Sequence, residues 1–67
     1  MKITKKTGEL VMGTIVSLPG GEILEIRGYD RQTNSYRVWY LEFDGTEFSP
    51  ISGERTVNAC DLIGGEI

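Results

Sequence analysis

The side chains capable of covalent or acid–base chemistry are few in this 67-residue sequence, which contains no histidine and a single cysteine, Cys60. Without histidine, the chain lacks the commonest general base and the imidazole ligands of most catalytic zinc sites. Cys60 is the only strong nucleophile, but no imidazole can deprotonate it, and the adjacent carboxylate of Asp61 repels a thiolate. We therefore expect Cys60 to be a small buried or half-buried side chain without a catalytic role.

Two other patterns match known binding motifs only in part. The Asp44-Gly45-Thr46-Glu47 segment has too few acidic positions for an EF-hand calcium-binding loop. A domain this small has little room for a cleft between paired catalytic carboxylates, so we expect Glu42, Asp44 and Glu47 to be turn and solvent residues. Gly20-Gly21 follows an apolar run but lacks the lysine, the further glycines and the helix of a phosphate-binding loop. We expect no catalytic residue, no metal and no cofactor, and we interpret Gly20-Gly21 as part of a hairpin turn.

The most informative pattern places arginine and aromatic side chains on both arms of one predicted hairpin. These residue types are enriched in the hot spots of protein interfaces. They also stack on bases while contacting phosphates. A third interpretation is an ordinary hairpin that is stabilised by cross-strand tyrosine and arginine pairs. The predicted partner-binding residues are Arg27, Tyr29, Arg31, Tyr36, Arg37, Trp39 and Leu41.

The elements that position these residues are predicted to be strands, because nine glycines and two prolines divide the chain into short apolar runs. Strands are predicted over 10–18, 22–27 and 36–43, and shorter ones over 46–48, 54–57 and 62–63. The predicted turns are Pro19-Gly20-Gly21, Asp30 to Ser35 and Asp44-Gly45. A single helical turn is predicted over 58–61, before the last strand.

The strand from Tyr36 to Phe43 is apolar on both faces, since alternation separates Tyr36, Val38 and Tyr40 from Trp39, Leu41 and Phe43. We predict that Val38 points inward and Trp39 outward, because an indole would overfill a core of this size. The alternative is the reverse assignment, with Trp39 inward and Val38 outward. The apolar outer side would contact a partner or be covered by the terminal segments. The predicted core comprises Val16, Leu18, Leu24, Ile26, Val38, Val57 and Leu62.

Three segments carry a resemblance to a known class of fold. The run Gly13 to Gly21, the turn Phe43-Asp44-Gly45 and the terminal Asp61-Leu62-Ile63 resemble small bacterial SH3-like barrel proteins of unknown function, and more distantly KOW and Tudor modules. The resemblance covers residues 8–63 in layout. It implies an all-β, five-stranded SH3-like barrel, with one short helical turn before the last strand and one domain over 1–67. These families share no common site, so the resemblance implies no functional residues.

Charge and composition narrow the choice of partner and location. The formal charge of −3 argues against attraction of nucleic acid to the whole surface. Six Lys or Arg against four Asp or Glu give +2 over 1–40, and one Arg against six Asp or Glu gives −5 over 41–67. A single cysteine, no apolar signal segment and no apolar run near the roughly 20 residues of a membrane span predict a cytoplasmic protein without a membrane role.

The leading hypothesis is a non-enzymatic interaction module that binds a protein partner, or self-associates, through the aromatic surface of the central hairpin. The alternative is a weak nucleic-acid-binding module of the KOW or Tudor type that uses Arg27, Arg31 and Arg37 with the neighbouring aromatic rings. A third hypothesis is an enzyme whose site forms only in an oligomeric pore. One plasmid-borne class of dihydrofolate reductase looks like this in size and fold, but its pore-lining Val-Gln-Ile-Tyr pattern is missing from this sequence.

Overall fold

The computed structural model describes residues 1–4 and 9–67, and residue 8, where the resemblance to SH3-like proteins begins, lies outside them. The described residues are mostly β, in the order β1 (Ile15–Ser17), β2 (Ile23–Asp30), β3 (Ser35–Phe43), β4 (Phe48–Pro50) and β5 (Arg55–Asn58), followed by one 3-10 turn (Ala59–Leu62). All four strand pairings are antiparallel. A search of this part of the chain finds no helix long and apolar enough to cross a membrane.

The long strand β3 organises the sheet. It pairs with β2 along one edge, and on its other edge it pairs first with β5 and then with β4. Among the residues that the structure describes, the strand pairing does not close the sheet into a barrel. Beyond β1, Glu66 bridges both Ser17 and Lys2, so the segment after the 3-10 turn lies between β1 and the start of the chain.

The positions of three predicted strands are wrong in detail, and in each case a turn explains the difference. The first strand is shorter than 10–18 because a turn at Met12-Gly13 precedes it. The strand predicted over 46–48 lies at β4 instead, because Asp44 Oδ1 accepts hydrogen bonds from the backbone N–H groups of Thr46 and Glu47. The strand predicted over 62–63 is replaced by the end of the 3-10 turn, and the pairing with β1 comes from Glu66.

The predicted core is largely confirmed. Five of its members are fully buried, whereas Leu18 and Val57 are only partly buried and pack against the others. Ile3 and Tyr36 complete this core, and the sequence analysis had assigned Tyr36 to the binding surface instead. The fully buried members are Val16, Leu24, Ile26, Val38 and Leu62.

A β-bulge in β2 explains which side chains reach the core. The register of β2 against β3 shifts between Ile26 and Gly28, and Arg27 is the extra residue. Leu24 and Ile26 point inward before the bulge. After the bulge, Tyr29 is the residue of β2 that points inward, and the centroid of its ring lies 4.7 Å from that of the Tyr36 ring. The bulge therefore leaves Arg27 on the opposite side of the sheet, away from both tyrosines.

Candidate functional site

The candidate site is the side of β2, β3 and β4 that points away from the core, which we call the outer face. The central strand contributes every second residue to it. Cross-strand pairing adds neighbours from β2 and β4. The outer face comprises Glu25, Arg27, Arg37, Trp39, Leu41, Phe43, Phe48 and Pro50.

Trp39 lies on the outer face, as predicted, and Val38 beside it is fully buried in the core. The guanidinium carbon of Arg27 lies 4.0 Å from the centroid of the Trp39 ring, a cation–π arrangement. Arg27 also donates to the Glu25 carboxylate, with 2.7 Å between Nη1 and Oε2. The half-buried indole is therefore held in place, and the positive charge of Arg27 is paired with the carboxylate of Glu25 on the same strand.

Leu41, a predicted partner-binding residue, is buried and not accessible to a partner, because it is only 5% exposed. Leu41 lies in the middle of the sheet, with Ile23 directly opposite on β2 and Pro50 directly opposite on β4. Neighbours on both sides cover a short aliphatic side chain, whereas the larger Trp39 ring extends beyond them. Leu41 is therefore a buried part of the outer face, flanked by Ile23 and Pro50.

The exposed apolar part of the outer face is a pair of phenylalanines that the sequence analysis did not select. Phe43 and Phe48 are cross-strand partners, 52% and 44% exposed, with ring centroids 4.8 Å apart. The sequence offers one indication of this pair, because a hairpin centred on the Asp44-Gly45 turn brings together the residues on either side of it. Its exact register depended on the length of the turn, which the sequence left open.

The turn beside this pair is held by Asp44. Its Oδ1 accepts from the backbone N–H groups of Thr46 and Glu47 and from the Thr46 hydroxyl, at 2.8–2.9 Å. The hydrogen bonds from the Glu47 and Thr46 backbone, followed by that of the Thr46 hydroxyl, hold the pKa of Asp44 below its ordinary value. Gly45 adopts a φ of 103°, which favours glycine.

We expect the turn to loosen at acid pH. A carboxyl whose pKa is lowered by folding stabilises the folded turn above its unfolded pKa, and this contribution is lost as pH falls through the lower folded pKa. An NMR titration should give an Asp44 pKa below that of an unstructured aspartate, with Thr46 and Glu47 amide shifts following the same curve. In Asp44→Asn, which keeps an oxygen acceptor, that pH dependence should vanish. An ordinary Asp44 pKa would contradict this account of the turn.

The other predicted site residues are dispersed by the fold. Tyr29 and Tyr36 face inward, where the Tyr29 hydroxyl donates to Asn34 Oδ1 and the Tyr36 hydroxyl accepts from the Leu10 N–H at 3.1 Å. Arg31 lies at the hairpin tip, 85% exposed, with its Nη2 3.4 Å from Glu9 Oε1. Of the predicted partner-binding residues, Arg27, Arg37 and Trp39 lie together on the outer face with the buried Leu41. The bulge at Arg27 separates Tyr29 from Arg27, and the alternation of β3 places Tyr36 and Arg37 on opposite faces.

Cys60 is exposed, so the expectation that it is buried or half-buried is wrong. The 3-10 turn directs its thiol to the surface, with Sγ 4.0 Å from Asp61 Oδ1. It lines a half-open cavity of about 500 Å³ together with Tyr29, Tyr36 and Leu62. Within 1–4 and 9–67, no group of three or more Cys, Asp or Glu residues could hold a metal ion. The cavity therefore presents an exposed thiol close to a carboxylate.

The chain was compared with known proteins at the levels of family, sequence and structure. No family model, curated protein or solved structure matches it. The resemblance to SH3-like proteins therefore stays a prediction.

Arg37 occupies the end of the outer face opposite to the phenylalanine pair, and its guanidinium lies across Gly28 on β2. A methyl group at position 28 would overlap the end of this flexible side chain. We expect Gly28→Ala to displace Arg37 while changing the free energy of unfolding by less than about 1 kcal/mol. NMR of the arginine Nε–H group and thermal melting measure both effects.

Gly65→Ala provides the contrast, because a Cβ there would lie 3.1 Å from the backbone oxygen of Leu62 and 2.8 Å from a Val16 methyl. Backbone and core cannot move as a guanidinium can, so overpacking should destabilise this variant by roughly 1–3 kcal/mol. Equal melting shifts for the two variants would show that Arg37 is fixed in place.

Proposed function

We propose that this protein is a non-enzymatic interaction module that binds another protein through the outer face. The observation that carries the proposal is the exposed Phe43–Phe48 pair, which lies on the same face as the half-buried Trp39. In the described part of the chain, the terminal segments leave this pair open: Ile3 packs into the core on the opposite side of the sheet. Two large aromatic rings left in water are an expected feature of an interaction surface.

The construction of the outer face also favours binding. Its aromatic side chains project from paired strands, and Trp39 is fixed by Arg27, so little conformational freedom is lost on association. Arginine and tryptophan are enriched at the energetic centres of interfaces. The surface therefore combines rigid apolar anchors with a polar border.

For the fold, we propose an SH3-like barrel. Support comes from the meander β1–β2–β3–β4, the 3-10 turn after β5 and the return of the chain to β1 at Glu66. We also propose a cytoplasmic location, since an exposed free thiol such as Cys60 persists in a reducing compartment.

The proposed function predicts that binding is lost without loss of folding when the exposed rings are removed. Affinity-tagged Phe43→Ser/Phe48→Ser should melt close to the parent and fail to retain a protein that the parent retains from the native host. The matched control is Val11→Ser/Met12→Ser, which removes two apolar side chains, both more exposed than the phenylalanines, from a loop outside the outer face. If both double variants lose the same protein, or neither does, the outer face is not the binding surface.

A second copy of the chain is one protein that could occupy this surface. Sedimentation velocity over a concentration series measures this self-association directly. Association that disappears in Phe43→Ser/Phe48→Ser would make the partner a second copy, whereas a monomer at high micromolar concentration leaves a different protein as the partner.

Nucleic acid is the second candidate, favoured by the environment of Arg37. Among the described residues it forms no ion pair, and Arg27 and Trp39 lie on the same face. A base could stack on the Arg27 guanidinium that lies over the indole, while Arg37 contacts a phosphate. Titration of labelled single-stranded and duplex oligonucleotides at low salt tests this; binding that falls steeply with salt and is lost in Arg37→Ala would support it.

A further inference from the structure

The turn that joins Phe43 to Phe48 contains two acidic residues and no basic one. Asp44 and Glu47, the two titratable residues of the turn between Phe43 and Phe48, are exposed carboxylates. Neither takes part in an ion pair within the residues that the structure describes. The lowered pKa of Asp44 keeps its carboxyl ionised across the physiological range. We call Phe43, Asp44, Glu47 and Phe48 the acidic aromatic tip.

The cations of the outer face do not neutralise this tip. Arg27 is matched by Glu25. Arg37 lies six residues before Phe43 on β3, about 20 Å at the rise of an extended strand. That separation exceeds the screening length of about 8 Å at physiological ionic strength. A molecule approaching the tip therefore meets negative charge around an apolar centre.

We propose that the acidic aromatic tip binds a basic segment of a different protein, in which lysine or arginine residues flank an apolar side chain. The apolar side chain packs on Phe43 and Phe48, and the flanking cations pair with Asp44 and Glu47. This inference rests on the proposed function and adds the chemistry of the partner. Charge complementarity of this kind selects the partner and accelerates its association.

The geometry disfavours two other occupants. A second copy that docked tip to tip would bring four carboxylates together, and nucleic acid would meet the same repulsion. Strand addition at the free edge of β4 is disfavoured too, because Pro50 has no N–H to donate. The contact is therefore made by side chains on the face of the hairpin.

The test uses a short synthetic peptide with a central leucine flanked by lysines, and a counterpart in which glutamate replaces each lysine. At low ionic strength the lysine peptide should shift the amide resonances of residues 43–48, and the glutamate peptide should not. Asp44→Asn/Glu47→Gln, which keeps the shape of the turn, should weaken binding of the lysine peptide about 3- to 10-fold. The control Glu54→Gln/Asp61→Asn removes the same charge elsewhere and should leave the affinity within about 2-fold.

Three results would overturn the inference: equal binding of both peptides, shifts outside the tip, or equal weakening by the two charge variants. Experiments with the native partner distinguish failure of this inference from failure of the proposed function. If Phe43→Ser/Phe48→Ser releases that partner while Asp44→Asn/Glu47→Gln retains it fully, the surface stands and the basic partner is wrong. If neither variant releases it, both proposals fail.

Discussion

Leu24→Ala is expected to leave the chain largely unfolded at room temperature. Leu24 is fully buried in the middle of the core, between Val16 on β1 and Tyr40 on β3 in the register of the sheet. Truncation of a buried leucine costs roughly 2–5 kcal/mol, because transfer free energy is lost and a cavity remains. A single core of this size supplies only about 3–5 kcal/mol in total. Circular dichroism and urea titration measure the loss.

Leu18→Ala is the matched control, because Leu18 is only partly buried and packs at the edge of the same core. We expect it to unfold at a lower urea concentration than the parent and to remain folded in buffer. If Leu24→Ala melts with the parent, the inward face of β2 has been assigned incorrectly, and the outer face with it.

Tyr36→Ala is expected to have an equally large effect, although the sequence placed this residue on the binding surface. The ring is 5% exposed and packs among Val38, Ile26 and Leu62. Loss of a buried aromatic side chain costs roughly 3–5 kcal/mol. Tyr36→Phe removes only the acceptor of the Leu10 N–H and should cost about 1 kcal/mol. Denaturant melts of both variants give these values.

Trp39→Ala provides the complementary measurement on the opposite face of β3. The indole is half-buried beneath Arg27, so its loss should cost much less folding free energy than that of Tyr36. A folded Trp39→Ala and an unfolded Tyr36→Ala would establish which face of the strand is the core. The opposite outcome would return Trp39 to the interior and remove it from the candidate surface.

The parts of the fold that follow from alternation were predictable from the sequence. Val38 inward and Trp39 outward follow from period-two patterning and side-chain volume, and the turns at Pro19-Gly20-Gly21 and Asp44-Gly45 follow from the residues that turns require. The bulge at Arg27 was not predictable, because an extra residue in a strand leaves no clear mark in the pattern. That bulge moves Tyr29 into the core side of the sheet.

The candidate site was predicted only in part. Arg27, Arg37 and Trp39 lie together on the outer face, but Leu41 and Tyr36 are covered by cross-strand neighbours that the sequence could not align. Phe43 and Phe48 were recognisable only once the length of their turn was known. The hydrogen bonds accepted by Asp44 fix that length, and they depend on the three-dimensional path of the turn.

The central claim, that the outer face binds a protein, is tested most directly by photo-crosslinking in the native host. A benzoylphenylalanine in place of Phe48 retains an aromatic ring at the surface, and one in place of Met12 labels an exposed site outside the outer face. We expect a light-dependent adduct with one protein from position 48 and none from position 12. The absence of an adduct at position 48, or the same adducts at both positions, would contradict the claim.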